Sequence, residues 1–388
     1  MTVAAWLFWL SAAWLGYVWI GYPLVLEALS LTRRFRSVTA DDYYPTVSVL
    51  IAARNEQEDI GWKLAQTLAW DYPADRLEVL VGSDASTDGT DEAIRLVRDP
   101  RLRFTRNRER AGKSITLNRL ARLARGELLF FTDANTHIEP QCLKAMVRHF
   151  ADLRVGCVTG MERNVTGPET STITTGSNAY LEYESAVDTL ESKLGSVLVC
   201  DGSVYCLRSA LFTDLDSDLA NDLEHPVRIG GAGAAILYEP LARSVERCSS
   251  SAWEEFARRR RIAAQGALAM WRLRHELRGL RLWQFVSRKF LRWLCLLPFT
   301  VALVTSFLLR RDHLFAAFFS AQAAFCTLAL VGVWQRGKSR VNALLRLPFV
   351  FLLANVAVFV GVLDASRGKT FTTWNIAELS RGANPQGG

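Results

Sequence analysis

The chain is apolar at both ends and patterned in between. Residues 6–29 are apolar until Glu27 and rich in Trp and Tyr. About 20 apolar residues cross a bilayer as a helix, so a transmembrane helix is expected within 1–30. Met1-Thr2 carries no side-chain charge and the apolar run continues too long for a signal peptide, so the helix is expected to be retained. Three further runs, 294–309, 314–334 and 344–363, predict membrane helices within 294–365, the first being the shortest. Before them, 271–293 (WRLRHELRGLRLWQFVSRKFLRW) places Leu273, Leu277, Leu280, Trp283 and Phe290 near helical spacing, with Arg and Lys between. That pattern predicts an amphipathic helix in the headgroup layer. A tail follows over 366–388.

Between these ends, 45–270 alternates short apolar runs with polar helical stretches. VSVLIAA at 47–53 is an uninterrupted apolar run, as a strand covered on both faces should be. Further strands are expected at 78–82, 101–105, 127–132, 155–160, 203–207 and 235–238. Helices are expected to start at Asn55-Glu56 and to cover 91–97, 112–120, 140–150, 174–194 and 253–270. Strand–helix alternation of this kind implies a doubly wound α/β sheet.

Charge changes the picture in two ways. The net charge of +7 and pI of about 9.1 suit a diphosphate substrate or an anionic membrane face. No basic-aromatic repeat points to nucleic acid. Arg33, Arg34 and Arg36 follow the first apolar run, so the positive-inside rule puts the middle region in the cytoplasm. Basic residues follow every C-terminal run as well, which leaves the orientation of that bundle open. If all four segments span, the tail lies opposite the middle region; if one is only interfacial, the tail returns to its side. The seven cysteines form no C-x-x-C pair, as reduced buried thiols would.

The candidate chemistry lies where strands end, because an open α/β sheet binds its ligand at the carboxyl ends of its strands. Asp84 follows VLVGS and could meet a base or ribose, or cap a turn. Lys113, after Gly112, opens a helix whose N–H groups favour anions. Asp133 and Asn135 follow LLFFT at i and i+2; together they could hold one Mg²⁺ or Mn²⁺, or form a turn. In NDLEHPVRI either Asp222 or Glu224 could act as a general base, while His225 beside Pro226 reads as structural. Arg258 to Arg261 run consecutively on an expected helix. They could meet a departing diphosphate, a lipid headgroup or solvent.

Taken in order, VSVLIAARNE, SDASTDGT, GKSITLN, FTDAN, CDGSVYCLRS, NDLEHPVRI and RRRRIAAQG resemble the membrane-bound family 2 glycosyltransferases. That group includes hyaluronan, cellulose and poly-N-acetylglucosamine synthases and smaller bacterial polysaccharide enzymes. The resemblance implies a GT-A fold over 45–270 with a doubly wound mixed sheet, flanked by one N-terminal and about three C-terminal transmembrane helices. It implies an integral protein of the inner membrane that moves a sugar, with inversion, from a nucleoside diphosphate, a UDP-sugar being expected. The acceptor would be a glycan or a lipid-linked molecule. By this resemblance Ala52, Glu56 and Asp84 surround the nucleoside and Lys113 lies near the nucleotide. Asp133 and Asn135 hold Mg²⁺ or Mn²⁺. Asp201 and Gly202 line the acceptor pocket, and Asp222 is the base. Arg258, Arg259 and Arg261 bind the leaving diphosphate and the glycan. Arg258 stands where the family often has Gln, Ile262 where it has Trp, and Asn221 where it has an acid. The missing Trp argues against processive polymerisation. The rival expectation is a catalytically silent nucleotide-binding scaffold in a polysaccharide assembly.

Overall fold

The structure is a computed structural model, described over residues 2–164, 172–246, 252–334 and 343–369. A long helix opens the chain: α1 (Val3–Thr32), with one π-helical turn at Tyr17–Gly21. Among the described residues eight strands form one sheet: β1 (Val47–Ala53), β2 (Leu77–Ser83), β3 (Leu102–Arg106), β4 (Leu128–Asp133), β5 (His137–Ile138), β6 (Val155–Asn164), β7 (Tyr205–Arg208) and β8 (Ala235–Glu246). Among them lie α2 (Ile60–Leu68), α3 (Thr90–Leu96), α4 (Lys113–Leu123), α5 (Cys142–Val147), α6 (Thr172–Ser192) and α7 (Asn221–Gly231). After the sheet come α8 (Ala252–Arg272), α9 (Gly279–Trp293), α10 (Leu296–Leu308), α11 (His313–Trp334) and α12 (Ala343–Ser366).

The sheet order is β3-β2-β1-β4-β7-β6-β8-β5. Strands β3, β2, β1 and β4 run parallel, and β7 is antiparallel to both β4 and β6. All seven residues of β1 are buried. Because side chains alternate along a strand, Val47, Val49 and Ile51 pack with Ile60 and Leu64 of α2 on one face. Leu50 and Ala52 pack with Leu117 and Leu120 of α4 on the other. One apolar run thus anchors two cores, which is what a doubly wound sheet requires. The register sets Ala52 opposite both Gly82 and Asp133, so three strands end at one level.

Two sequence expectations need correction. Asn55-Glu56 opens a loop rather than a helix, and α2 begins at Ile60. Asn55 takes φ 53°, and the loop leans on the turn after β2: Ser86 Oγ accepts from Asn55 N–H and Thr90 Oγ1 from Glu56 N–H. The 271–293 stretch is likewise not one helix. It breaks between Arg272 and Gly279, where φ is +52°, a conformation that suits glycine. Its apolar residues Leu273, Leu277, Phe285 and Trp293 are spent in a core with Leu223 and Val227 of α7. Its Arg288 is buried against Glu184, Asp188 and Glu191 of α6.

Among the described residues three helices are long and apolar enough to cross a membrane, within Val3–Thr32, His313–Val331 and Pro348–Ser366, and a fourth span forms if α9 and α10, bent by 56°, act as one. Phe8 meets Phe315 and Phe318, so the start of α1 and the start of α11 share one end of the bundle. The C-terminal end of α12 instead lies on α8. A Cβ at Gly361 would fall 2.2 Å from Arg260 O, and Asp364 Oδ2 accepts from Arg260 Nε at 2.5 Å. Lys369 also pairs with Asp364, so the chain at 369 is on the side of the sheet domain. Among the described residues six cysteines are free thiols, five of them buried; Cys248 and the tail from 370 lie outside the described residues.

Candidate active site

The site is built upward from the shared strand ends. Asp133 closes β4 and Lys113 opens α4. Lys113 Nζ donates to Asp133 Oδ1 at 2.5 Å, with the two side chains 23% and 34% exposed. Both groups can therefore be reached by a ligand. Asp84 is different: it is fully buried. Its Oδ1 accepts from Asn107 Nδ2 and Ala111 N–H, and its Oδ2 from Gly112 N–H at 2.9 Å. In the structure this carboxylate, expected at the nucleoside, is occupied by Asn107, Ala111 and Gly112. It holds the turn from which the next residue, Lys113, reaches Asp133. Ala52 lies level with Asp133, and Glu56 stands on the loop after β1.

Asp222 is the second residue of α7 and partly buried. A methyl group added at Gly202 would lie 3.4 Å from its Oδ2, so the Asp201-Gly202 turn abuts the carboxylate. Burial raises the Asp222 pKa, the positive Lys113, Lys289 and Arg261 oppose this, and Asp133 adds to it. The charges that act on Asp222 thus come from the strand-end pair and from α8 and α9. Asp201 turns inward: it accepts from Ser203 N–H and Oγ–H and from Glu162 N–H. Burial pushes it up to about 6, and the neighbouring Asp222 contributes. Its carboxylate is engaged by these donors within its own turn and by β6.

The structure separates the alternatives left open by the sequence. Glu224 is fully buried, bonded through Oε1 to Arg228 and accepting from Asp216 N–H. Of the two acids on this turn, Asp222 is the one on which the strand-end pair acts. His225 Nδ1 pairs with Tyr205 Oη at 2.9 Å, and burial pushes it down to about 3, so it is a neutral core residue. Asn221 Nδ2 donates to the same Tyr205 hydroxyl.

The arginine run divides by face. Arg258 and Arg259 both pair with the buried Glu255. Arg260 holds Asp364 of α12. Arg261 bonds Gln265 Oε1, and the carboxylates that act on it are Asp222 and Asp133. Ile262 is 48% exposed.

Two residues escaped the sequence reading. Lys63 is fully buried under the Asp133 turn, donating to Thr132 Oγ1 at 2.8 Å and Thr136 O at 2.7 Å. Burial pushes it down to about 7 against the pull of Asp133. The signal was a lysine on the buried stripe Ile60, Lys63, Leu64 and Thr67 of α2. The other is Lys289, hidden within the stretch read as a headgroup helix.

The donor set fits a divalent ion only as a shared ligand. Among the described residues no group of three or more His, Cys, Asp or Glu could hold a metal. Asp133 offers a third of its surface, with Asn135 two residues on. Mg²⁺ commonly uses one or two carboxylates, substrate phosphates and water, which this open rim can supply.

The sheet and its helices form a GT-A-type fold. It matches the mannosyltransferase PcManGT from Pyrobaculum calidifontis, solved with GDP-Man and Mn²⁺, at a TM-score of 0.72 and 21% identity over 94% of this chain and 99% of that one. Residues 48–206 match the family described as Glycosyl transferase family 2, from β1 to β7. The chain is 34% identical over 119 residues to a beta-monoglucosyldiacylglycerol synthase of Synechocystis, covering 30% of this chain and 25% of that protein. It is 25% identical over 232 residues to the probable glycosyltransferase YdaM of Bacillus subtilis, covering 57% and 55%. The chain thus spans between a quarter and about half the length of these curated relatives.

Proposed function

We propose that the chain transfers a sugar, with inversion, from a nucleoside diphosphate to an acceptor presented at the membrane face of its GT-A domain. What carries this is the partly exposed Lys113–Asp133 ion pair at the strand ends, together with the charges of Lys113, Arg261 and Asp133 that act on the raised Asp222 carboxyl. Asp222 takes the proton of the acceptor hydroxyl. The freed oxygen attacks the anomeric carbon, a C–O bond forms, and the bond to the diphosphate breaks with its electron pair leaving on phosphate. Lys113 and Arg261 meet that developing charge, the kind of fixed stabilisation that is usually the largest catalytic contribution. Mg²⁺ or Mn²⁺, held by Asp133 and Asn135 with the substrate phosphates, would add further positive charge there. Asp84 contributes by fixing the Gly112-Lys113 turn, and Gly202 leaves room beside the base for an acceptor.

The basic residues after α1 support a cytoplasmic domain; a UDP-sugar donor and a role in the synthesis of cell-surface polysaccharide or glycolipid are part of the same proposal. Arg310 and Arg311 follow α10 at the other end of the bundle. Lys289, on the helix that leads to α10, acts on Asp222. That nearness of base and membrane helix favours a lipid-linked acceptor over a soluble one. Membranes holding the full chain, given a panel of nucleotide sugars, should yield a new glycosylated product by mass spectrometry, and D222N should not. Nucleotide binding without turnover across the panel would make the chain a silent scaffold instead.

A further inference from the structure

Lys63 stands on α2 beneath the turn that carries Asp133 and Asn135. The turn leaves β4 at Asp133 and enters β5 at His137. Burial alternates along it: Ala134 and Thr136 are buried, whereas Asp133 and Asn135 are half-buried. Ala134 packs in one core with Ile60 and Leu64 of α2. The two oxygen-bearing side chains are thus borne on a short arc whose inner side rests on that helix.

Lys63 closes the arc. Its Nζ donates to Thr132 Oγ1 at 2.8 Å, just before the turn, and to Thr136 O at 2.7 Å, at its end. Three residues along the same helix face, Gln66 grips β5: its Nε2 donates to Ile138 O at 3.0 Å and its Oε1 accepts from Ile138 N–H at 3.2 Å. Filling space does not account for a lysine here. Lys63 is fully buried, and a buried polar group costs stability unless it is hydrogen-bonded. A methionine of similar length would fill the stripe without that burden, but it has no donor to tie Thr132 to Thr136. Those two residues flank the candidate metal ligands, so the lysine bonds set the position of both ligands at once. Among the charges acting on Lys63, that of Asp133 is the largest. An amine keeps donors enough for both bonds whether charged or neutral.

We propose that Lys63 is a positioning residue for the metal–diphosphate site: by tying Thr132 to Thr136 it fixes the turn on which Asp133 and Asn135 present their oxygens to one cation. The proposal rests on the glycosyltransferase reading above. Because Mg²⁺ demands near-ideal ligand geometry, loosening the arc should fall on the metal-assisted part of donor binding. The full chain in detergent is titrated by calorimetry with UDP, GDP, ADP and CDP, with and without Mn²⁺. The titrations are run at about pH 8, above the value of about 7 to which burial brings Lys63, so that hydrogen bonds rather than charge are compared. K63M should cut the Mn²⁺ enhancement of nucleotide affinity about tenfold and leave metal-free affinity within about twofold. Should K63M fail to fold, T132V keeps the lysine and removes one acceptor; a several-fold cut is expected from it. An enhancement unchanged in either variant overturns the proposal. Equal weakening with and without Mn²⁺ overturns it too, since a general packing defect does that. If the wild type binds none of the four nucleotides, the glycosyltransferase reading fails and this proposal with it. If it binds one with no Mn²⁺ effect, the metal assignment and the role of Lys63 fail while the transferase reading stands. If the Mn²⁺ effect is present and both variants keep it, only the role of Lys63 fails.

Discussion

Lys113 Nζ lies 2.5 Å from Asp133 Oδ1, although the two residues belong to different elements and the lysine's own turn is held by Asp84. Three residues far apart in sequence thereby form one rigid lip: Asp84 holds backbone, the backbone aims Lys113, and Lys113 meets the strand-end acid. Because Lys113 and Asp133 are both partly exposed, an arriving diphosphate can take the lysine while the carboxylate turns to a cation. K113M should weaken donor binding about tenfold or more, equal to about 1.4 kcal/mol, in calorimetry with Mn²⁺ present. D133A should remove the metal dependence of donor affinity. Equal affinity with and without Mn²⁺ in the wild type would refute the metal assignment.

For Asp222 the expected loss is in rate. D222N should lower turnover by about 10²–10⁴-fold, the usual contribution of a general base, and spare donor affinity. The wild-type rate should also fall on acidification at a pH above the ordinary carboxylate range, since burial raises this group. A profile flat down to pH 4 would reassign the base.

The arginine run offers a contrast between neighbours. R261A should slow transfer strongly with little change in melting temperature, as the carboxylates that act on Arg261 are Asp222 and Asp133. R260A should do the reverse, as Arg260 holds Asp364 of α12. Equal loss of turnover in both variants would remove the distinction drawn between them.

Lys63 predicts a pH dependence of stability. An unfolded lysine titrates near about 10.4, whereas burial brings Lys63 down to about 7. Between those values the unfolded chain keeps the proton and the folded chain does not, so stability rises with pH across this window. Below the folded value both states are charged and the burden of the buried ammonium is fully present. Melting of the wild type relative to K63M should therefore improve from pH 6.5 to pH 9.5. A constant difference would argue against the assigned protonation.

Gly361 tests the seating of the last helix. A side chain there would run into Arg260 O. G361V should cost about 1–3 kcal/mol, the range for overpacking, read as a lowered melting temperature in detergent.

Much of this was legible in the chain because the relevant signals are local. The continuous apolar runs of β1 and β4 announce buried parallel strands, and the acids that follow them fall at the strand ends. What was not legible depends on partners distant in sequence. No pattern near Asp84 reveals that Asn107, Ala111 and Gly112 occupy its carboxylate. The choice between Asp222 and Glu224 is made by Arg228 and the loop at Asp216. The break at Gly279 follows from the core that Leu273 and Leu277 share with α7, and Arg261 is distinguished from Arg260 only by where α12 packs.

That packing gives the lipid environment a mechanical handle on catalysis. Asp364 grips Arg260, and the next residue is the one that answers the acids. A bilayer thicker or thinner than the apolar length of α12 would tilt the helix, and the strain would arrive one residue from the reacting centre. Turnover should therefore vary with the acyl-chain length of the reconstituting vesicles, and R260A should flatten that dependence.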